Sequence, residues 1–361
     1  MGKVIEPDSE AAMAEAVRDL SGAVAVRGGG TRSPAAQGPV LSTAALSGIS
    51  LYEPGALTLV AAAGTPMVEI EEALAANRQC LAFEPMDHRA LLGTQGEPTV
   101  GGAVATGAAG PRRVRAGGCR DSLIGVRFVD GAGRIVRSGG RVMKNVTGYD
   151  LARLMAGARG TLGVLTEVAF KLLPAPASQA TLMVEGLDVP RSVAAMAAAL
   201  SSPFEVSGAA RAVDGVTHLR LEGLADSVAY RTGRLAELLA PFGAARVEAA
   251  PEVGTVIWGL VRNVEALADA PGSVWRIASR PSEAPAAVAA LGAEHVMLDA
   301  GGATIWAALP EAVDARALVP GPAVLVRGAG FPAMPPEAAP VAALSRGLRE
   351  KFDPRGILNP A

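Results

Sequence analysis

Histidine is almost missing from this chain: His88, His218 and His295 are the only three in 361 residues. None has a second ligand at metal-binding spacing, so each is expected at the surface or at a strand end. Cysteine is as scarce. Cys80 and Cys119 form neither a metal-ligand spacing nor a disulfide framework and read as unpaired thiols in a reducing compartment. No segment approaches the ~18 uninterrupted apolar residues of a membrane span. The stretch from Met1 to Asp8 lacks the apolar core of a signal peptide, and the residues after Gly2 fit acylation poorly. A cytoplasmic protein is therefore expected, one that meets a membrane only through partners. Neither sign of charge is in excess. With 33 basic and 35 acidic residues the net charge is −2, which argues against a nucleic-acid partner held by bulk electrostatics. Lysine is also rare beside abundant alanine and arginine, a genomic bias rather than a functional signal.

What is present is apolar bulk and glycine. Half of the residues are hydrophobic and mean hydropathy is +0.31, enough for a sizeable core. The length suggests two domains at roughly 150 residues each. The 43 glycines cluster. One cluster is Val24-Ala25-Val26-Arg27-Gly28-Gly29-Gly30-Thr31-Arg32; the other runs from Thr99-Val100-Gly101-Gly102 through Thr106-Gly107 to Gly110. Each reads as a loop beside an apolar, strand-like run. Glycine lacks Cβ and tolerates φ > 0, so two such loops can bring bare backbone N–H groups onto a diphosphate. Arg27 and Arg32 add positive charge to the first loop. It does not open a helix in the G-x-G-x-x-G manner, which weakens a Rossmann reading. The second loop adds the Thr99 and Thr106 hydroxyls and leaves room for a flat ring against its backbone. A tight turn or close strand packing remains the alternative for either loop alone. Arg112, Arg113, Arg115 and Arg120 follow, as an anion site, a partner surface or a solvated face. By spacing alone, Gly160 and Gly163 are another glycine turn, after which the Val164 backbone can meet an adenine edge.

The hydrophobic periodicity predicts strands at 4–7, 22–26, 40–42, 49–52 and 57–62, with helices from Asp8 or Ser9 to Leu20 and from Pro66 to about Asn77. A hairpin is expected at 124–130 and 134–138, a helix at 150–156 and a strand at 163–173. Pro174 and Pro176 mark a boundary. Beyond it, strands at 181–185, 208–213, 218–222, 275–279, 295–298, 304–308 and 323–327 alternate with helices at 189–200, 225–239 and 284–291. That pattern predicts an α+β unit, an antiparallel sheet with helices on one face. Val341, Leu344, Leu348 and Phe352 align on a last amphipathic segment.

The order R-G-G-G-T, V-G-G-x-V-A-T, K-N-V-T-G-Y-D-L (Lys144 to Leu151), G-T-L-G-V-L-T-E (Gly160 to Glu167) and F-D-P-R-G-I-L-N-P (Phe352 to Pro360) resembles the flavoproteins of vanillyl-alcohol oxidase and p-cresol methylhydroxylase (PCMH) type. Within that family, Glu84-Pro85, Ala109-Gly110-Pro111-Arg112-Arg113, Val142-Met143-Lys144-Asn145 and Val274-Trp275-Arg276-Ile277 resemble the small FAD-binding subunits, or E subunits, of bacterial glycolate oxidases. The resemblance implies an α+β fold: an FAD-binding domain at 1–175, a shortened α+β cap at 176–330, and a C-terminal segment at 331–361 returning to the FAD domain. It implies that Arg27, Gly28, Gly29, Gly30 and Thr31 hold the FAD pyrophosphate. Pro85, Thr99, Val100, Gly101, Gly102, Thr106, Gly107 and Gly110 would line the ribityl and ring. Gly160, Gly163 and Val164 would hold the adenosine, and Asn359 would approach the flavin; the alternative for Asn359 is a polar cap after a helix.

Departures qualify it. No histidine or cysteine stands near Thr31, so the FAD is expected to be noncovalent. The histidine-bearing G-H-x-G-D-G-N-x-H cap segment of larger 2-hydroxy acid dehydrogenases is absent. Arg276 or Arg327 can supply a cation for a substrate carboxylate, but no residue stands out as the base. The resemblance implies a glycolate-oxidising complex with a larger paralogous flavoprotein and an iron–sulfur subunit, with this chain's FAD a relay or the reacting centre. The alternatives are a stand-alone FAD-dependent 2-hydroxy acid dehydrogenase and a flavin-holding subunit without a redox role.

Overall fold

The structure is a computed structural model describing residues 3–32, 38–140 and 148–359. Val142, Met143, Lys144, Asn145, Val146 and Thr147 of the resembling segments, and Pro360, lie outside the described residues.

The chain opens with β1 (Val4–Ile5), α1 (Glu10–Asp19), β2 (Ala25–Arg27) and β3 (Val40–Ser42). The three strands pair in parallel in the order β1-β3-β2. Ser9 caps α1 by accepting the Ala12 amide at 3.3 Å, and Met13, Ala14 and Val17 bury one face. Leu358 pairs with Val24 just before β2, so the C-terminal segment closes on this unit.

Next come β4 (Ile49–Glu53), β5 (Thr58–Ala62), α2 (Met67–Ala75), β6 (Gln79–Cys80) and four short helices: α3 (Arg89–Leu92), α4 (Val100–Thr106), α5 (Arg113–Ala116) and α6 (Cys119–Ser122). The hairpin β7 (Leu123–Val129) and β8 (Ile135–Gly139), α7 (Leu151–Met155), β9 (Val164–Lys171) and β10 (Leu173–Pro174) complete this half. Five strands form an antiparallel sheet in the order β4-β5-β9-β7-β8. Leu59, Val126, Phe128, Val168 and Phe170 from the sheet meet Ile70, Leu74, Val100, Ala103 and Val104 from α2 and α4 in one core.

The segment from Thr99 to Gly107 is a short helix rather than a glycine loop. Thr99 caps α4, accepting the Gly102 amide at 3.2 Å, and Gly107 closes it at φ +63°. Glycine within a helix is disfavoured, but at Gly101 it lets α4 press onto β5. A Cβ there would fall 2.6 Å from the Ala63 carbonyl oxygen.

The remaining chain forms β11 (Ser178–Val184), α8 (Val189–Leu200), β12 (Gly208–Arg211), β13 (Thr217–Gly223), α9 (Ala225–Leu239), β14 (Ala245–Glu248), α10 (Pro251–Asn263), β15 (Ser273–Ala278), α11 (Ala284–Leu291), β16 (Val296–Asp299), β17 (Thr304–Leu309), β18 (Ala323–Arg327) and α12 (Ala339–Phe352). Its eight-stranded antiparallel sheet has the order β14-β11-β13-β12-β16-β17-β15-β18. The side chains of α8, α9 and α11 pack with Leu182, Leu219, Trp275 and Ile305 on one face. The expectation of helices on that face alone is corrected by α10. Trp258 sits on the opposite face with Ala210 and donates to Thr181 Oγ1 at 2.9 Å. Gly254 and Gly259 interrupt the local pattern of α10 and hide it from periodicity. The apolar line on α12 also differs from expectation. Val341, Leu344 and Leu348 are exposed, and Phe352 packs with its ring centroid 6.0 Å from that of Phe128.

The face of the large sheet that carries α10 also docks on the first half. Arg220 donates to both Glu84 carboxylate oxygens at 2.8 Å, while Arg112 bridges to Glu222 at 2.8 Å. Met86 and Leu91 pack with Val274, Met297 and Trp306 beside this ion cluster. No described helix is long and apolar enough to cross a membrane.

Candidate functional site

Next to that docking surface, the two halves enclose a cavity of about 290 Å³. One wall is built by the turn after β2, by α4 and by the Arg159–Gly160 turn. The other carries Arg276 from β15, Trp306 from β17 and Val324 and Val326 from β18, with Met86, His88 and Leu92 between them.

The turn after β2 is shaped for close approach. Among the described residues, no hydrogen bond uses the amide hydrogens of Gly28, Gly29, Gly30 or Thr31. A Cβ on Gly28 would fall 2.3 Å from Thr99 Oγ1, and one on Gly29 only 1.7 Å from the Glu97 carbonyl oxygen. Gly30 takes φ +71°, a region that favours glycine. The result is a row of unclaimed backbone donors on the cavity wall, an arrangement that suits an anionic diphosphate.

Of the residues predicted from sequence, Arg27, Gly28, Gly29, Gly30, Thr31, Thr99, Gly101, Gly102, Thr106, Gly160, Gly163, Arg276 and Asn359 line this one cavity. Pro85, Val100, Gly107, Gly110 and Val164 do not line it. Val100 and Val164 are fully buried in neighbouring cores, and Gly107 is the left-handed cap of α4. Pro85 is buried one residue before Met86. Gly110 lets the chain press on Glu84, where a Cβ would sit 2.6 Å from the carbonyl oxygen. Arg327 is committed to the backbone carbonyls of Leu91, Ala268 and Ala270, which leaves Arg276 as the available cation of that pair. The arginine cluster is partly engaged within the chain: Arg112 bridges to Glu84 and Glu222, and Arg115 to Glu205.

Asn359 is the hinge pin of the C-terminal segment. Its Oδ1 accepts the Val26 amide at 2.7 Å, its Nδ2 donates to the Arg159 carbonyl at 2.6 Å, and its own amide reaches the Val24 carbonyl at 3.0 Å. It joins β2 to the Arg159–Gly160 turn, so its side chain shapes the wall. Asn359→Ala is expected to cost about 2–3 kcal/mol, from two lost hydrogen bonds and the groups left unpaired. Equilibrium denaturant unfolding measures this; an unchanged midpoint would contradict the role.

Three more polar side chains stand in the wall: Arg32, read from sequence as a charge of the first loop, and Arg159 and His88, which escaped that reading. Arg32 donates to the Met86 carbonyl at 2.5 Å, while its Nε and Nη1 are buried without a partner among the described residues. Burial lowers the Arg32 pKa to about 10, against the pull of Asp87. Arg159 holds a left-handed backbone at φ +52° and makes no side-chain hydrogen bond or ion pair among the described residues. His88 was expected at the surface or a strand end; instead it caps α3 in the cavity wall, with a buried Nε2 that has no partner among the described residues. Burial, then the charges of Arg32 and Arg276, hold its pKa down at about 3, so the ring is neutral near pH 7. Its place just outside the glycine run is what made Arg32 legible. Nothing local marked His88 or Arg159.

These residues fit FAD: unclaimed amides and orphaned arginine nitrogens answer the pyrophosphate, and a cavity narrowed by glycine accepts a flat ring against backbone. The family described as an FAD binding domain matches residues 2–139. Glycolate oxidase subunit GlcE of Escherichia coli is 36% identical over 327 residues, covering 90% of this chain and 86% of that one. Glycolate oxidase subunit GlcD of Bacillus subtilis is 44% identical over 85 residues, only 24% of this chain and 18% of its own. A solved structure of alkyldihydroxyacetonephosphate synthase covers 99% of this chain and 75% of its own at a TM-score of 0.70, with 16% identity, so the fold is shared. With a full-length relationship to GlcE and a cavity built for a flavin dinucleotide, the chain belongs to the glycolate oxidase E-subunit family of PCMH-type FAD-binding oxidoreductases.

Proposed function

We propose that this chain holds one noncovalent FAD in the cavity and serves as a flavin-bearing subunit of a complex that oxidises glycolate to glyoxylate. The complex passes electrons to an iron–sulfur partner and then to a membrane acceptor. A larger paralogous flavoprotein completes it, and the chain meets the inner face of the cell membrane only through these partners. The run of unclaimed amides from Gly28 to Thr31, flanked by Arg27, Arg32 and Arg159, carries the FAD reading.

Bound FAD supplies a two-electron acceptor; the chain supplies its position. The Gly28, Gly29, Gly30 and Thr31 amides and the neighbouring arginines hold the pyrophosphate. Gly160 and Gly163, with the Val164 backbone, form the adenosine side. Thr99, Gly101, Gly102 and Thr106 place α4 against the ribityl and ring. Pro85, Val100, Gly107 and Gly110 act one layer back, by fixing the backbone that lines the cavity, and Asn359 fastens the C-terminal segment across it. The extents of the two large sheets and the return of Leu358 to Val24 support a division at 1–175, 176–330 and 331–361.

No histidine or cysteine neighbours Thr31, and His88 is the one histidine lining the cavity among the described residues. Its Nε2 is assigned below to substrate rather than to flavin attachment. Acid precipitation of purified, flavin-loaded protein is expected to release all yellow colour to the supernatant. A yellow pellet would mean a covalent bond and would overturn the noncovalent assignment.

A further inference from the structure

We propose that the end of the cavity facing the large sheet is a reaction site of this chain's own for a small 2-hydroxy carboxylate. Arg276 binds the carboxylate, and His88 Nε2 accepts the hydroxyl proton. The proposal rests on the FAD reading above and assigns the base that the sequence did not reveal.

Arg276 sits on β15 between buried Trp275 and Ile277. Strand alternation therefore turns it away from the helix-covered core and into the cavity. It has no ion pair or hydrogen bond among the described residues, and the cations Arg113 and Arg159 act on it with burial to lower its pKa. His88 is fixed from both sides. Its carbonyl accepts the Leu92 amide at 2.9 Å, and the adjacent Asp87 amide donates to Asn263 Oδ1 at 3.1 Å. The Asp87 carboxylate is engaged by Arg89 at 2.8 Å and stays with that partner. The charged groups facing His88 are therefore Arg32, Arg276 and Arg159, against Asp87 alone. Met86 and Trp306 are nearly fully buried around this end and form its apolar wall.

With Arg32 and Arg159 answered by the pyrophosphate, Arg276 beside a neutral acceptor still lacks an anion. A carboxylate supplies it and links the two roles. Once its charge offsets Arg276, the part of the repulsion that adds to burial in keeping His88 unprotonated falls, and Nε2 gains proton affinity where a hydroxyl is delivered. The O–H bond breaks and its proton forms an N–H bond at His88 Nε2. The α C–H bond breaks with its electron pair, and the hydride passes to FAD. The hydroxyl carbon becomes a carbonyl, giving a 2-oxo carboxylate, a protonated His88 and a cofactor reduced by two electrons.

The test uses the full chain loaded with FAD, as wild type, His88→Gln and Arg276→Leu. Three quantities are read: flavin content, the shift of the flavin spectrum on titration with oxalate, and anaerobic bleaching by glycolate. Failure of the wild-type chain to bind FAD would sink the cofactor reading itself. With FAD bound, wild type is expected to show a saturable oxalate shift and glycolate bleaching. Arg276→Leu should keep its flavin but weaken oxalate at least tenfold, the scale of a lost charge-assisted hydrogen bond. His88→Gln should keep flavin and oxalate affinity yet slow bleaching by about 10²–10⁴, the usual contribution of a positioned base. An oxalate-blind wild-type spectrum, or oxalate affinity unaltered by Arg276→Leu, would overturn the carboxylate assignment. Unbleached wild-type flavin, or undiminished bleaching in His88→Gln, would overturn the proton-acceptor assignment.

Discussion

Gly29→Ala yields a chain that no longer retains FAD, whereas Gly22→Ala leaves FAD binding intact. The difference is geometric. A Cβ at Gly29 would lie 1.7 Å from the Glu97 carbonyl oxygen and 2.7 Å from its carbon, both backbone atoms. Neither can swing aside, so the turn must move as a unit, and the Gly28, Gly29, Gly30 and Thr31 amides lose their common direction. A Cβ at Gly22 meets nothing within 4 Å. Losing two charge-assisted hydrogen bonds to a diphosphate costs about 3–6 kcal/mol, or roughly 10²–10⁴ in affinity. Flavin absorbance per chain and calorimetric titration with FAD read the effect directly. Thermal unfolding without FAD checks that the chain still folds, and added FAD should raise the wild-type midpoint far more than that of Gly29→Ala. Wild-type affinity in Gly29→Ala would remove the pyrophosphate assignment.

The second large effect lies at the docking surface. Arg220 exposes only 2% of its side chain, yet it carries the Glu84 carboxylate, donates to Ser207 Oγ at 3.2 Å and stacks 4.6 Å from the Trp258 ring. Arg220→Ala leaves two buried carboxylates to share Arg112, and breaking such a buried network costs about 3–5 kcal/mol. Replacing Arg220 by methionine together with Glu84→Gln should cost less, because that pair leaves fewer unpaired charges. Denaturant unfolding of the variants tests both statements. Equal stability of Arg220→Ala and wild type would show that the cluster does not fasten the halves.

The same cluster sets an acid dependence. Burial pushes the Glu84 and Glu222 carboxyls up, but the adjacent Arg220 and Arg112 outweigh it and hold both below their ordinary value of 4.5. A carboxyl depressed in the folded state contributes its full stability above its unfolded pKa. That contribution is lost as pH falls through the folded value. Wild type should therefore lose stability below about pH 4.5, and Arg220→Ala should show a shallower fall across the same range.

Local spacing located much of the scaffold. The helices Val189–Leu200, Ala225–Leu239 and Ala284–Leu291 stand where apolar periodicity and their flanking residues place them, because a helix face is written in neighbours three and four apart. The glycine run after β2 was legible for a similar reason, since a close backbone approach needs consecutive residues without Cβ. Spacing did not distinguish the Thr99 segment as a helix, because its glycines serve contact with Ala63, a partner far away in the chain. Nor did it show which arginines are free. Arg112 and Arg327 look as available in sequence as Arg32, Arg159 and Arg276, but the first two meet acceptors brought from distant segments. His88 is the sharpest case. An isolated histidine in a polar stretch becomes a shielded acceptor only when the large sheet closes over it with Arg276 and Trp306. The sequence by itself determined most of the strands, the helices with an unbroken apolar face and the glycine run after β2. The tertiary structure alone decided which charges remain unpaired, because burial and partnership are set by residues that meet only after the two sheets have docked.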